Sequence, residues 1–247
     1  MKLTVVGSGD AFGSGGRLQT CFHVAAGDEE FLIDCGATSL IGMQRLGLDP
    51  ERVSSIFISH LHGDHFSGLV WWMMHAHHMT RRERPLTIAG PASIEERFLK
   101  AAETLFPGAA KIERRFEMRF IEFTQDRSIE VDRIRVTPYE VRHPSGAPPY
   151  ALRIETAGKT VSFSGDTQWV DSLIDAANGA DLYISECFGF DTPVGYHMTW
   201  REIEKQLDRL GAKRVLLTHM NTEMLAKRSE VRDPRVLVAD DGMIIDI

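Results

Sequence analysis

Four side chains that can bind a metal ion lie within six consecutive residues of this sequence. The run His60-Leu61-His62-Gly63-Asp64-His65 holds three imidazoles and one carboxylate. In an extended segment, alternate side chains such as His60 and His62 point the same way, and Gly63 would then let the chain turn sharply. Neutral imidazole and carboxylate are the ligands that zinc takes in hydrolytic sites with an open position for water. The run therefore predicts a hydrolytic metal centre.

The elements that must position these side chains can be read from the apolar segments. Three segments with the length and composition of buried strands each lead into a metal-capable residue: 53–59 into His60, 160–164 through Gly165 into Asp166, and 214–218 into His219. In α/β folds, sites lie beyond the carboxyl ends of the strands. We therefore expect these residues to meet at one edge of a sheet.

Helical patterns lie between the predicted strands, and two of them begin with a capping box. Ser93 with Glu96, and Thr199 with Glu202, have the required spacing ahead of apolar residues at helical intervals. Strands and helices thus alternate in both halves of the chain, which favours an α/β layered fold. No linker or low-complexity stretch divides the sequence, so we expect one domain over residues 1–247.

Composition and charge narrow the class of partner. The formal net charge of −7 argues against binding nucleic acid through bulk electrostatics. The three cysteines have no C-x-x-C spacing and are interpreted as small buried hydrophobes. No apolar segment is long enough for a signal peptide or a membrane helix, so we expect a cytoplasmic protein without a membrane partner. If the chain associates, a two-fold homodimer is the expected assembly.

The H-x-H-x-D-H run at residues 60–65 resembles the signature of the metallo-β-lactamase superfamily, and the whole chain can be aligned with that pattern. The resemblance implies an α/β fold of four layers, an αββα sandwich. It also implies two zinc ions, although manganese, iron or nickel can occupy such ligands. By this resemblance the first metal is held by His60, His62 and His143, the second by Asp64, His65 and His219, and Asp166 bridges them.

Within the superfamily, the chain resembles the branch that contains tRNase Z and small phosphodiesterases. The stretch Val6-Gly7-Ser8-Gly9-Asp10 is similar to the glycine-rich opening of that branch, and a tight turn would explain its glycines. His197, two residues before Thr199, resembles a histidine that assists phosphodiester cleavage there. Glu186 resembles the acidic residue that orients this histidine.

One departure from tRNase Z bears on the substrate. That family carries a long tRNA-gripping arm between the third histidine and the bridging aspartate, and the interval from His143 to Asp166 is too short for it. Together with the acidic charge, this favours a small phosphodiester over nucleic acid.

These features predict a hydrolase in which metal-bound hydroxide attacks the phosphorus of a small phosphodiester. Asp64 would accept or position the proton of the attacking water, and His197 would assist departure of the alcohol. Three alternatives stay open: a thioester or lactam hydrolase of the same fold, a tRNA 3′-processing endonuclease, and a metal-binding scaffold without catalysis.

Overall fold

Fourteen strands and seven α-helices make up the architecture in the computed structural model, which describes residues 1–247. The strands are β1 (Lys2–Gly7), β2 (Cys21–Ala26), β3 (Glu29–Ile33), β4 (Ser55–Phe57), β5 (Leu86–Gly90), β6 (Met118–Glu122), β7 (Ile129–Val131), β8 (Ile134–Glu140), β9 (Tyr150–Thr156), β10 (Lys159–Phe163), β11 (Leu182–Glu186), β12 (Val215–Thr218), β13 (Val236–Val238) and β14 (Ile244–Asp246). The helices are α1 (Ser39–Arg45), α2 (Gly63–Phe66), α3 (Gly68–His75), α4 (Ile94–Leu105), α5 (Ser172–Ala177), α6 (Trp200–Leu210) and α7 (Thr222–Lys227).

The strands form two seven-stranded mixed sheets. The first has the order β14-β1-β2-β3-β4-β5-β6, and the second has the order β13-β12-β11-β10-β9-β8-β7. From β3 to β6 in the first sheet, and from β10 to β13 in the second, neighbouring strands are parallel. Parallel strands bring their carboxyl ends to a common edge, so each sheet offers one edge where strand-end residues gather.

The two sheets pack face to face, with helices on both outer faces. Phe22 of the first sheet meets Phe163 of the second edge to face, with ring centroids 5.5 Å apart. Trp72 of α3 packs on the outside of the first sheet, and Trp200 of α6 packs on the outside of the second. The layers are therefore helix, sheet, sheet, helix, which confirms the predicted αββα sandwich.

The apolar segments of the sequence are continuous, without alternating polar residues, because many strands are buried on both faces. In β4, Ile56 faces the helices while Phe57 faces the other sheet, and both are fully buried. Such strands need apolar side chains at every position rather than at alternate ones. The three cysteines are buried, as expected. None of the helices combines the length and the hydropathy required to cross a bilayer.

The two predicted capping boxes have different outcomes. Thr199 accepts a hydrogen bond from the backbone N–H of Glu202, whose side chain accepts from the N–H of Thr199, so the box at α6 is confirmed. The box at α4 is wrong: Ser93 lies in the left-handed region at φ 65° and its side chain makes no capping bond. The backbone N–H of Ser93 donates instead to Glu122 at the end of β6, at 2.7 Å.

Gly7, the last residue of β1, and Gly9 do not form the expected tight turn. Gly9 forms bridges to Gln19 and Met220. A Cβ at Gly7 would lie 1.9 Å from the carbonyl oxygen of Gln19. Glycine is required there because two backbone segments approach closely. This packing places the segment beside the residue after β12, since the N–H of His219 donates to the carbonyl of Ser8 at 3.0 Å.

Candidate metal centre

The first sheet contributes its part of the site from the single segment that follows β4. His62 has extended backbone angles and precedes α2, so that Asp64 and His65 lie in the first turn of that helix. The sharp turn expected at Gly63 is wrong. Gly63 is the first helical residue, its φ is not positive, and a Cβ there would meet only Ser67 Oγ, at 3.9 Å.

The second sheet contributes residues from separate strand ends. His143 follows β8, Asp166 follows β10, and His219 follows β12. Because β10, β11 and β12 are parallel neighbours, the residues beyond their carboxyl ends reach one edge of the sheet. That edge faces the segment after β4.

The structure brings all seven predicted ligands together. Their ligand atoms form two groups, each with all members within 4.8 Å of one another: His60, His62 and His143 in one, and Asp64, His65, Asp166 and His219 in the other. In the first group His62 Nδ1 lies 3.0 Å from His143 Nε2. In the second, His65 Nε2 lies 3.4 Å from His219 Nε2.

Asp166 lies between the two groups. Its Oδ2 is 3.3 Å from Nε2 of both His65 and His219. The same oxygen is 3.8 Å from His60 Nε2 and 4.0 Å from His143 Nε2. A single carboxylate thus faces imidazoles of both groups.

The donor atoms fit metal ions. His60 Nε2 and Asp166 Oδ1 are buried and have no hydrogen-bond partner, and leaving such atoms unsatisfied is costly unless something else binds them. Burial lowers the pKa of His143 to about 4, so its imidazole is neutral near pH 7. Neutral imidazole beside carboxylate is a donor set for zinc and similar cations. These residues can hold metal ions.

A buried carboxylate at the end of β3 binds the ring nitrogen of His65 that does not face the cluster. Asp34, directly after β3, is fully buried and accepts a hydrogen bond from His65 Nδ1 at 2.6 Å. It also accepts from the backbone N–H and the hydroxyl of Ser59, both at 2.7 Å. With its Nδ1 hydrogen occupied, His65 presents an Nε2 lone pair to the cluster, which is the usual arrangement of ligand histidines.

Two further histidines are oriented in the same way. Because the Ser59 hydroxyl donates to Asp34, its oxygen can accept the Nδ1 hydrogen of His60, 3.1 Å away. His143 Nδ1 lies 3.1 Å from the backbone carbonyl of Tyr196, which can only accept. Both rings therefore direct Nε2 towards the site.

His197 and Glu186 form a pair at the edge of this cluster. His197 Nδ1 lies 3.0 Å from Glu186 Oε2, and the glutamate is fully buried at the end of β11. Burial opposes protonation of His197, but the hydrogen bond to Glu186 and the charge of that carboxylate outweigh it and raise its pKa to about 9. His197 is therefore an imidazolium near neutral pH, and its ring stacks on Phe188 at 4.6 Å.

Asp64 is the other acid expected to take part in the chemistry. Burial opposes its ionisation, but the charge and hydrogen bond of His65 and the hydrogen bond of His219, when these rings are protonated, prevail and hold the pKa of Asp64 well below its usual range. A cation bound to the same rings in place of the protons would act in the same direction. Its carboxylate lies 3.2 Å from Nε2 of each of these histidines. Asp64 is thus ionised near neutral pH and able to accept a hydrogen bond.

These groups open into one small cavity of about 200 Å³. Its walls combine polar groups of the cluster with a few apolar residues: Ala11, Phe12, His62, Asp64, His143, Asp166, Phe188, His197 and His219. All its ionisable groups are imidazoles or carboxylates. The site can therefore bind an anionic group whose charge is balanced by bound cations. His197 lies beside that group as a proton donor.

Sequence reasoning missed several residues of this site. Asp34 follows a buried strand directly, so the strand-end pattern that indicated Asp166 and His219 could also have indicated Asp34. No such signal exists for Phe12 and Phe188, because they lie in loops without periodic patterning.

Comparisons with known proteins agree with the fold and the metal-capable cluster. A family model described as anti-Pycsar protein Apyc1 matches residues 1–240. The chain is 27% identical to ribonuclease Z of Methanothermobacter thermautotrophicus, across 100% of this chain and 97% of that protein. It is also 27% identical to the probable metallo-hydrolase YhfI of Bacillus subtilis, across 89% of this chain and 87% of that protein.

Solved structures show the same architecture. The metallo-β-lactamase fold protein YhfI from Bacillus subtilis superposes with a TM-score of 0.81 at 24% identity, covering 99% of both chains. The short form of human tRNase Z gives 0.80 at 23% identity, covering 100% of this chain and 99% of that chain. The chain belongs to the anti-Pycsar protein Apyc1 family, in the tRNase Z-like branch of the metallo-β-lactamase superfamily, and is a metal-dependent hydrolase.

Proposed function

We propose that this protein is a phosphodiesterase that hydrolyses small phosphodiesters. The observation that carries the proposal is the His197–Glu186 pair, which places an imidazolium in the wall of the cavity that also contains the metal-capable cluster. Hydrolysis of a phosphodiester expels a basic alkoxide, and a positioned acid that protonates it accelerates the step by about 10²–10⁴-fold.

The metal centre would contain two zinc ions, with Asp166 facing both groups of ligands. When bound, such ions lower the pKa of a water ligand and polarise a phosphoryl oxygen. The protein residues then have separate tasks. His60, His62, Asp64, His65, His143, Asp166 and His219 would hold the ions.

The two ionised groups of the cavity wall suit opposite sides of the reaction. Asp64, as a carboxylate, would orient the attacking water and accept its proton. His197, as an imidazolium, would stabilise charge on the phosphoryl group and donate its Nε2 proton to the departing oxygen, while Glu186 holds its Nδ1.

The size of the cavity and the chain around it support a small substrate. The cavity of about 200 Å³ has room for a phosphodiester with small substituents rather than for a folded nucleic acid. Between His143 and Asp166 the chain forms only β9 and β10, joined by a tight turn at Ala157 and Gly158, both with positive φ. No arm is inserted there.

A second candidate is tRNA 3′ processing, favoured by relatives that are named ribonuclease Z. It predicts endonucleolytic cleavage of precursor tRNA by this chain without an inserted arm. The thioester or lactam hydrolase remains the alternative that keeps the metals and changes the electrophile to a carbonyl. Thioester hydrolysis would not need His197 as an acid, because a thiolate departs without a proton.

The deciding experiment combines metal analysis with kinetics of His197→Ala. We expect about two zinc ions per chain and hydrolysis of bis(p-nitrophenyl) phosphate. In His197→Ala, kcat should fall by about 10² or more for a diester whose leaving group is an alkoxide, and by less for bis(p-nitrophenyl) phosphate, because p-nitrophenolate departs without a proton. His78→Ala is the matched control, because His78 is an exposed histidine outside the cavity. Precursor tRNA, a thioester and a lactam complete the panel.

Three results would contradict the proposal. The zinc-loaded protein could leave every small phosphodiester intact, it could cleave precursor tRNA in preference to them, or His197→Ala could retain wild-type turnover of the diester with an alkoxide leaving group. Absence of bound metal would overturn the assignment of the ligands as well.

A further inference from the structure

We propose that Phe12 is a recognition residue that stacks on a planar aromatic substituent of the substrate, so that the enzyme selects aryl-bearing or base-bearing phosphodiesters. This inference rests on the proposed function and specifies its substrate class. Phe12 lines the cavity of the metal centre, yet 87% of the residue is exposed to solvent. Phe12 thus offers an aromatic face to a ligand that binds in the cavity.

The loop that carries Phe12 is held in place by the chain itself. The carboxylate of Asp10 accepts hydrogen bonds from the backbone N–H of Phe12 at 3.2 Å and of Ser14 at 2.8 Å. It also accepts from the Ser14 hydroxyl at 2.7 Å. Gln19 donates to the carbonyl of Ala11 at 3.1 Å. The backbone of Phe12 is thus fixed before a ligand arrives, which reduces the entropy lost on binding.

Phe12 is the aromatic ring of the cavity with free faces. Phe188, the other phenylalanine in the wall, already stacks on His197 with ring centroids 4.6 Å apart and planes at 24°. Its role is to support the proton donor. Phe12 makes no comparable aromatic contact and exposes most of its surface at the cavity mouth, so it can accept the face of a planar group.

The remaining walls indicate what the rest of the ligand looks like. The imidazoles and carboxylates of the metal centre suit one phosphoryl group, and no lysine or arginine lines the cavity to bind a second phosphate. Apolar surface is offered only by Ala11, Phe12 and Phe188. The complementary ligand is therefore a single phosphoester joined to a planar, weakly polar ring. Stacking of this kind tolerates many ring types, because every ring has a π-face.

The test compares two ligands that share a head group and differ in the substituent. Phenylphosphonate and methylphosphonate are titrated calorimetrically into the zinc-loaded wild type and into Phe12→Ala. Stacking is worth roughly 5–150-fold in affinity, so we expect the wild type to bind phenylphosphonate at least about fivefold more tightly. In Phe12→Ala the ratio of the two affinities should fall to near one, and Phe12→Trp should restore it.

Met79→Ala is the matched control, because Met79 is also strongly exposed, at 73%, but lies outside the cavity. It should keep the wild-type ratio of affinities. A kinetic comparison follows with bis(p-nitrophenyl) phosphate and methyl p-nitrophenyl phosphate, which release the same phenolate. Here Phe12→Ala should raise KM for the diaryl substrate by about fivefold or more, with a smaller change in kcat.

The outcomes separate this inference from the function on which it rests. If the wild type cleaves neither diester, the proposed phosphodiesterase fails, while the phosphonate titration still decides the role of Phe12. The role of Phe12 is overturned if the wild type shows no preference for the phenyl ligand, or if Phe12→Ala keeps that preference. It is also overturned if Phe12→Ala changes only the sedimentation of the protein, since Phe12 would then lie in an interface between two copies.

Discussion

The two sheets contribute to the metal centre in different ways. The first sheet supplies His60, His62, Asp64 and His65 from one stretch of six residues at the start of a short helix. The second sheet supplies His143, Asp166 and His219 from strand ends that are far apart in the sequence. Local backbone geometry therefore fixes the first half, whereas the second half exists only when β8, β10 and β12 have their correct register.

The difference explains which parts of the site are visible in a sequence. A contiguous run of metal-capable residues is improbable by chance and needs no knowledge of the fold. A single histidine such as His143 is unremarkable until the sheet brings it to His62. Three mutations test these contributions separately. They change Asp166, which faces both groups of ligands, Asp34, which supports His65, and Glu186, which holds His197.

The largest effect is expected at Asp166, because its carboxylate faces histidines of both groups of ligands. Asp166→Ala removes a carboxylate oxygen that lies within 4.0 Å of Nε2 of four histidines: His60, His65, His143 and His219. We expect loss of bound metal and a fall in kcat of about 10³ or more, since a metal contributes several kcal/mol to such reactions. Metal analysis and hydrolysis of bis(p-nitrophenyl) phosphate measure both quantities.

Asp171→Asn is the control for this variant, because Asp171 is an exposed aspartate nearby in the chain, with 77% of its side chain accessible. It should behave like the wild type. Retention of wild-type metal content by Asp166→Ala would show that neither group of ligands needs Asp166 to bind its ion.

The next effect is expected at Asp34, the support of the first half. In Asp34→Asn an amide replaces a carboxylate that accepts from His65 at 2.6 Å and from Ser59 at 2.7 Å. The amide has only one acceptor oxygen, so one of these bonds is lost. Loss of such a supporting carboxylate typically weakens metal binding by about 10–100-fold. Competition with a chelator should show this loss for the ion of the group that contains His65 more than for the other ion. Asp34 contacts His65 directly but reaches His60, in the other group, only through the Ser59 hydroxyl.

Asp28→Asn provides the matched control, because Asp28 is exposed in the turn between β2 and β3, the strand that precedes Asp34. Equal weakening of both ions in Asp34→Asn would contradict a role for Asp34 that acts mainly through His65.

A smaller and pH-dependent effect is expected at Glu186. His197 is protonated below its raised pKa of about 9, so activity that needs this proton is kept at lower pH and lost as the pH rises through about 9. Glu186→Gln removes a charge-assisted hydrogen bond worth roughly 1.5–3 kcal/mol, which is about one pKa unit or more. The alkaline limb of the kcat profile should therefore move down by about one unit, with a loss of about tenfold above it.

The pH profile distinguishes a positioning role from a structural one. A Glu186→Gln variant that merely folds less well would lose activity at every pH without moving the limb. An unchanged alkaline limb would mean that Glu186 does not set the protonation of His197.

The sequence predicted the layered fold and the cluster of metal-capable residues because each depends on strand-length apolar runs and on a dense local motif. It did not predict Asp34 or Phe12, since a support and a cavity wall are defined by what lies opposite them in space. The capping box predicted at Ser93 is wrong for the same reason. Its backbone N–H binds Glu122 from a neighbouring strand, so a tertiary partner replaces the local cap.

The smallest effect is expected from mutations at the two predicted helix caps. Thr199→Ala removes a buried capping bond at the start of α6 and should lower the free energy of unfolding by about 1 kcal/mol, or the Tm by roughly 2–4 °C. Ser93→Ala removes a side chain without a capping bond and exchanges one non-glycine residue for another at φ 65°, so its Tm should stay close to the wild type. Thermal unfolding of both variants decides the point. An equal loss in both would mean that the Ser93 side chain stabilises the start of α4 although it makes no capping bond there.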